Sequence, residues 1–525
     1  MPRHAPIGLM AATLALAGAA APAETFRWAS QTDPGTMDPH AENSTPVLGF
    51  LGNVYEGLVR RAPDMSIEPA LATEWEPIGE GEGWRFRLRE GVRFHDGSEF
   101  TAEDVRFSYE RARSETADTA SWFATVEDVV VVDDLTVEVR TTRPDPIFPD
   151  AIANWMMMDR GWAEAVGAER PARDAETAAT TRANGTGPFR LVSRQPGLET
   201  VLEPFEGWWG DPEHNITRAV FTPIENSATA VAALLAGDVD LINPVPVQDA
   251  PRLDAQEGVR VIRGTEARVI LLGLNHAAET LHGTGTGTGT GAGNPLQDAR
   301  VRRAVAHAVD VPAILQTIMR GTAEPVAQLT PPGLRGATEG IEPLPHDPER
   351  ARALLAEAGL PDGVALNFKC TNDRYLNDES VCQAITAMLA QVGIGADLEA
   401  MPTRNYWPEL REGAFDLYLV GWSPGTFDAE HPVRFLVHTP EGDLGTWNFG
   451  GFSSARVDEL LPRIQSETDE AARQAMLDEV AGIVAEEVAY VPLYVQPLLW
   501  GVREGVEVVQ RPDDFLVLRW VRVEG

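Results

Sequence analysis

Between Trp84 and Gly97 the chain reads WRFRLREGVRFHDG, with apolar and basic residues alternating along its first half. Successive side chains of a strand point to opposite faces. Trp84, Phe86 and Leu88 are therefore expected on a buried face, and Arg85, Arg87 and Arg89 on a solvated one. Glu90-Gly91 breaks the run, Val92 and Phe94 resume it, and Asp96-Gly97 marks a second turn. The pattern predicts short antiparallel strands with His95 at a strand end. A His-Asp neighbour pair without a nucleophile to serve carries no catalytic chemistry, so His95-Asp96 is read as a structural turn.

Elsewhere the period becomes helical and the caps are visible. Thr101 and Asp104 make a capping box ahead of Val105, Tyr109 and Ala112. Ser227 opens a helix with Val231, Leu234 and Leu235, which stops at Gly237 before a strand at Val239-Asp240-Leu241. Asp298 caps a helix carrying Val301, Val305 and Val309, while Asp347-Pro348 starts one that Gly359 ends. Repeated helix-glycine-strand units predict α/β lobes with helices packed on sheets. At 525 residues the chain exceeds a single core and should divide into two or three domains.

At the start of the chain, Arg3, an apolar run from Ile7 to Ala21 and the small-x-small triplet Ala21-Pro22-Ala23 form a secretory signal pattern. The mature chain is expected to begin at Glu24, in the periplasm, with no direct membrane insertion. No lipobox cysteine follows the apolar run, both cysteines lying far downstream, so a free protein is favoured over a lipid-anchored one. The formal net charge of −36 argues against nucleic acid or an anionic membrane as partner. Lys369 is the only lysine, which removes a Walker lysine and leaves hardly a Schiff-base candidate. The Gly283–Gly293 run GTGTGTGTGAG never makes the G-x-G-x-x-G spacing and reads as a linker-like insertion.

Cys370 and Cys382 bracket a strand end and a helix whose apolar positions are Val381, Ile385, Met388 and Leu389. In an oxidising compartment so close a pair is read as a disulfide, with two inert buried thiols as the alternative. Zinc would need more ligands than two cysteines without a nearby histidine pair can supply. No metal or cofactor is implied. Gly421-Trp422-Ser423-Pro424-Gly425 matches the G-x-S-x-G elbow of serine hydrolases. Its mechanism fails at Pro424, which has no N–H to offer an oxyanion, and only His431 and His438 follow, too close for that fold. An exported serine hydrolase is thus the disfavoured alternative, and no enzymatic activity is expected.

The stretch WRFRLREGVRFHDGSEFTAEDVRFSYERA resembles the signature region of the bacterial solute-binding proteins of family 5, the peptide- and nickel-type receptors of ABC importers. TMDPHAENSTPVLGFLGNVYEGLV, PALATEW, NGTGPFRL, NPLQDARVRRAVAHAVD, ARALLAEAGL and GTWNFGGFSSARVDELL are similar to further family segments, in the family's order. The cysteine-bracketed segment resembles one found in a subset of the family. The resemblance implies an α/β fold, a two-lobed periplasmic-binding-protein type II clamp with an additional small α+β domain, closing around a ligand and docking onto permease transmembrane subunits. A monomer is expected. Family topology places residues 24–62, 184–266 and 498–525 in lobe I, 63–183 in the extra domain and 267–497 in lobe II, with a crossing strand around Leu271 to Asn275.

The same resemblance implies the ligand site. In the family's peptide receptors an aspartate three residues after the tryptophan of the G-W motif pairs with the peptide's α-ammonium. Here the tryptophan is Trp422 and the third residue on is Gly425, so ordinary peptides with a free amino terminus are expected to bind poorly. Asp428 could substitute, or could merely cap a helix before Ala429-Glu430. Tyr406 and Trp422 offer stacking surfaces, Arg404 a bidentate carboxylate partner. Trp407 and Asn243 complete the expected ligand-facing set, each equally able to be packing. The implied function is reversible capture of a peptide-like or other organic solute for delivery to a permease.

Overall fold

The structure, a computed structural model, describes residues 24–172, 175–282 and 293–524. Residues 1–23, expected to form a signal segment, and residues 283–292 of the glycine-threonine run lie outside them. An eleven-stranded mixed sheet runs through the molecule. Its order is Ile394–Met401, Val364–Thr371, Leu417–Trp422, Val259–Leu274, Tyr490–Arg503, Leu241–Asn243, Glu24–Ser30, Ile216–Pro223, Glu199–Pro204 and Phe189–Gln195, with Glu324–Pro325 added on Tyr490–Arg503. Both faces are covered. Ile270, Leu272 and Leu274 enter one core while Val269 and Leu271 enter the opposite one, which is why this strand is apolar without interruption.

Two long antiparallel strands, Val259–Leu274 and Tyr490–Arg503, run through both halves of the sheet. Their register shifts between Thr265 and Val269, opposite Pro497 and Val495. On one side of the shift the strands pack with Phe26, Trp28 and Ala29 in two cores, and on the other with the Leu417–Trp422 strand. The packing of these two strands therefore changes over at 265–269. Leu271 and Leu274 sit inside the second pair of cores, and Asn275 Nδ2 donates to Phe415 O at 2.8 Å.

A separate four-stranded antiparallel sheet is ordered Ala72–Ile78, Gly83–Leu88, Thr136–Thr141, Val126–Asp133. Phe86 and Leu88 are buried as the alternation predicts, against the helix Ala102–Ala112 with its Thr101–Asp104 capping box. The arginine face is paired as well as wet. Arg85 meets Glu138 at 2.8 Å and Glu76 at 3.0 Å, Arg87 meets Glu74 at 2.8 Å, and Arg89 stacks 3.9 Å over Trp209. The second strand expected at Val92–Phe94 reduces to one bridge between Arg93 and Glu99. His95 instead ties this region to the Asn184–Pro188 segment, its Nε2 lying 3.0 Å from Gly187 O while Asp96 N donates to Asn184 Oδ1 at 3.0 Å. Burial lowers the His95 pKa to about 4, against the hydrogen bond to Gly187. It is a structural anchor.

Most helix ends follow their caps. Asp298 accepts from Arg300 N ahead of Ala299–Ala308, and Asp347 from Arg350 N ahead of Pro348–Glu357. Gly359 has φ of 85°, the left-handed geometry glycine tolerates. At Ser227–Ala236 the cap is Asn226 rather than Ser227, and the following strand is Leu241–Asn243. Cys370 and Cys382 are joined, S–S 2.00 Å, between the strand Val364–Thr371 and the helix Asp378–Gln391. Among the described residues no helix is long and apolar enough to cross a membrane.

Candidate functional site

The strand Leu417–Trp422 ends at a cavity of ≈ 480 Å³. Four stretches distant in sequence close it: residues 43–48, 121–154, 422–465 and 513–515, with Glu266 and Arg268 at its base. Trp422, His431, Phe435 and Trp447 make an aromatic wall, with ring centroids 5.4 Å apart for Trp422–His431, 4.7 Å for His431–Phe435 and 5.7 Å for Trp422–Trp447. The Trp422 ring is 9% exposed. Four buried polar atoms on this wall have no partner: Trp422 Nε1, Thr426 Oγ1, His431 Nδ1 and Arg434 Nε. Buried polar groups are normally paired, and leaving one unpaired costs about 1–3 kcal/mol. These four atoms belong to residues that line the cavity.

The charged lining divides into satisfied and open groups. Glu266 is satisfied, by Arg268 at 2.7 Å and by Gln496 Nε2 at 2.5 Å. Arg143 donates to Gln465 O at 3.0 Å, Asp145 accepts from Thr125 Oγ1 at 2.7 Å, and Glu430 accepts from Gln465 Nε2 at 2.5 Å. Arg434 stacks 4.9 Å over Phe435. Among the described residues none of these last four forms an ion pair. Burial raises the Asp145 and Glu430 carboxyls above their ordinary range, while burial and then Arg434 lower the His431 pKa to about 3. His431 is therefore neutral at neutral pH.

Of the sequence-predicted ligand residues, Trp422 faces the cavity, as does Gly425. Asp428 does not. It is fully buried, and its oxygens take Arg473 at 2.7 and 2.9 Å and the Glu430 N–H at 2.8 Å. Both Asp428 oxygens are spent on the protein, and the helix Glu430–Pro432 that follows has Ala429 as its N-cap. Tyr406 is also core: fully buried, its hydroxyl donates to Leu419 O. Trp407 packs on Trp447 and Phe449 with centroids 5.3 and 6.4 Å away, one layer behind the cavity wall. Arg404 is exposed and lines no part of the cavity. Asn243 opens onto a smaller hollow of ≈ 90 Å³, where its Nδ2 donates to Asp514 Oδ1 at 3.1 Å.

Ser423 lines the cavity, but no hydrogen bond joins it to His431 or His438 among the described residues, and His438 Nδ1 is engaged with Thr439 O at 2.6 Å. Lys369 Nζ lies 2.6 Å from Glu399 and 2.9 Å from Glu409. Burial opposes its charge, yet the two carboxylates outweigh it and raise the pKa. Sequence reading missed His431, Arg434 and Phe435 as ligand-facing, although their i, i+3, i+4 spacing after the G-W strand puts them on one helical face.

A family model described as "Bacterial extracellular solute-binding proteins, family 5 Middle" matches residues 66–443. The glutathione-binding protein GsiB of Escherichia coli (strain K12) is 24% identical over 474 residues, covering 88% of this chain and 87% of that protein. Helicobacter pylori DppA, solved with the peptide STSA, superposes with TM-score 0.77 at 23% identity, covering 96% of this chain and 98% of that one. AgaA of A. tumefacien R10, solved with agropinic acid, gives TM-score 0.75 at 23% identity, with 96% and 99% covered.

Proposed function

The chain belongs to the bacterial extracellular solute-binding proteins of family 5, and on that premise we propose that it is a periplasmic receptor that captures a peptide-sized organic solute and hands it to the permease subunits of an ABC importer. The observation that carries this reading is the four-atom set of unpartnered polar groups on an aromatic wall, in a cavity closed by four distant stretches of chain. The relatives named above hold glutathione, a peptide and agropinic acid. All three are of the size a cavity of ≈ 480 Å³ accommodates. Members of this family bind solutes rather than transform them, and Pro424 after Ser423 leaves a hydrolase without its oxyanion donor.

The lobes of this clamp would meet at 265–269, where the cores change over. Closure is supported by Arg61 Nη2 donating to Thr426 O at 2.8 Å, Arg335 meeting Asp150 at 3.0 Å and Arg143 reaching Gln465 O. Export through residues 1–23 would leave Glu24 at the mature amino terminus, which terminal sequencing of periplasmic protein checks. The test of function is a thermal-shift screen of peptides, opines, sugars and metal chelates. A ligand at 100 times its Kd stabilises by about 2.7 kcal/mol. Ser423→Ala should leave that affinity within about threefold, and loss of a measurable esterase or peptidase activity in this variant would overturn the receptor reading.

A further inference from the structure

Building on the receptor reading, we infer that the wide helical turn Val433–Val437 and the loop running from Gly445 to Asn448 form one unit that fixes the aromatic face of the solute site, with Gly445 and Asn448 as its positioning residues. The helix that carries His431, Arg434 and Phe435 ends one residue out of step. The His438 N–H donates to Val433 O at 2.9 Å, five residues back, where an α-helix would use Arg434 O, four back. The last carbonyls of a helix need partners from outside it. Here the loop supplies two of them with its backbone: Gly445 N donates to Arg434 O at 2.9 Å and Trp447 N to Phe435 O at 3.0 Å. The Tyr490 hydroxyl donates to Leu436 O at 3.0 Å, and Asn448 Nδ2 to His438 O at 3.0 Å. An ordinary α-turn would return Arg434 O to His438 N and leave Gly445 N without that acceptor.

The consequence falls on side chains that line the cavity. Phe435 and Trp447, from separate segments, are locked together backbone to backbone, and their ring centroids lie 5.8 and 5.7 Å from that of Trp422. Trp447 also meets Trp407 at 5.3 Å and Phe449 at 5.6 Å, so its placement joins the cavity face to the layer behind it. Two residues of the loop are bound to this arrangement. Gly445 has φ of 64°, and a Cβ there would collide with His438 O and stand 2.9 Å from Pro440 Cα. Asn448 is 4% exposed and spends its amide on three backbone groups: Nδ2 donates to Phe452 O at 2.8 Å as well as to His438 O, and Oδ1 accepts from Phe452 N at 3.0 Å. Neither residue lines the cavity, so each acts on a solute through Trp447.

The test joins a spectrum that needs no solute to an affinity. Tryptophan rings as close as Trp447, Trp407 and Trp422 couple in near-ultraviolet circular dichroism, and the component lost in Trp447→Leu identifies the placed ring. Gly445→Ala and Asn448→Ala should each lose most of that component. Thr439→Val removes a hydrogen bond to Asp458 from the same stretch and leaves both loop-to-turn bonds in place, so it should keep the component. For a compound that binds the parent in the panel of peptides, opines, sugars and metal chelates, Trp447→Leu and the two loop variants should weaken binding about 10-fold or more, and Thr439→Val by less than about threefold. A retained component in Gly445→Ala with affinity within about threefold of the parent would overturn the inference. Equal losses in Thr439→Val would overturn it too, since any loosening of the loop would then suffice. Where Gly445→Ala does not fold, Asn448→Ala is read against the same control, and unchanged affinity in Trp447→Leu is by itself a refutation. A panel in which nothing binds would overturn the receptor reading and leave the spectrum to decide whether the wide turn places Trp447.

Discussion

Replacing Asp428 by alanine should damage stability and spare affinity. Asp428 is fully buried, and its Oδ1 and Oδ2 take the Arg473 guanidinium at 2.7 and 2.9 Å, with Arg335 Nε a further 3.8 Å away. The Arg473 side chain is itself 4% exposed and spends its Nε on Ile464 O at 3.1 Å. Without the carboxylate, a guanidinium stays buried with its terminal nitrogens unanswered. Removing one partner of a buried pair costs about 3–5 kcal/mol, and the Glu430 N–H loses its acceptor at about 1 kcal/mol more. Because the helix that follows carries Glu430 and His431, the loss should be read as unfolding rather than as a graded change at the cavity. Guanidinium unfolding followed by tryptophan fluorescence should show a clearly lower midpoint. Replacing both residues, Asp428→Leu with Arg473→Met, should recover most of the loss, since no unpaired charge remains. Under folding conditions Asp428→Ala should bind a solute found by thermal shift within about threefold of the parent. An unchanged midpoint together with a tenfold or greater loss of affinity would refute this, because it would mean that the carboxylate reaches the solute.

Three other outcomes follow from the same structure. Non-reducing, denatured protein should show no titratable thiol, and opening the bridge should cost about 3 kcal/mol on the loop-closure model for a separation of 12 residues; two thiols before reduction would contradict the pairing. Asp514 is held at a pKa of about 7 by burial and then by Glu266, above its ordinary 3.8. Its folded form thus holds a proton that the unfolded chain has lost, and the stability this contributes is lost as pH rises from about 4 to 7. Asp514→Asn should accordingly gain in melting temperature over the parent as pH is raised through that window and then level off; a gain that shrinks with pH would reverse the sign. Breaking Arg335–Asp150 with Arg335→Ala should loosen the closed form, and scattering should show a larger ligand-free radius; an unchanged radius would remove this contact from the closure.

What the sequence conveyed was local, and the physical reason is range. A capping box is written within four residues, so Thr101 with Asp104 was legible, as were Asp298 and Asp347 before their helices. Alternation is equally local, and Phe86 and Leu88 are buried as it requires. Tyr406, which ligand contact and packing suited equally in the sequence, lies in the core, as its period allows. On the helix Thr403–Arg411, Tyr406 and Leu410 are four apart and both buried, which turns Arg404 outward to solvent. Asp428 was half legible: the hydrogen bond from Glu430 N is two residues away, whereas Arg473 is 45 residues downstream and no pattern links them.

The cavity is the extreme case, since Asp145 and Glu430 share it across almost three hundred residues of chain. Spacing in sequence cannot disclose such a juxtaposition; only the sheet order does, by bringing the Leu417–Trp422 strand beside the crossing strand that carries Glu266 and Arg268 at its changeover. The lining is complete only where 121–154 and 422–465 approach each other. A solute that touches both stretches would therefore favour whichever state of the clamp brings them together, and by no more than the difference in its affinity for the two states.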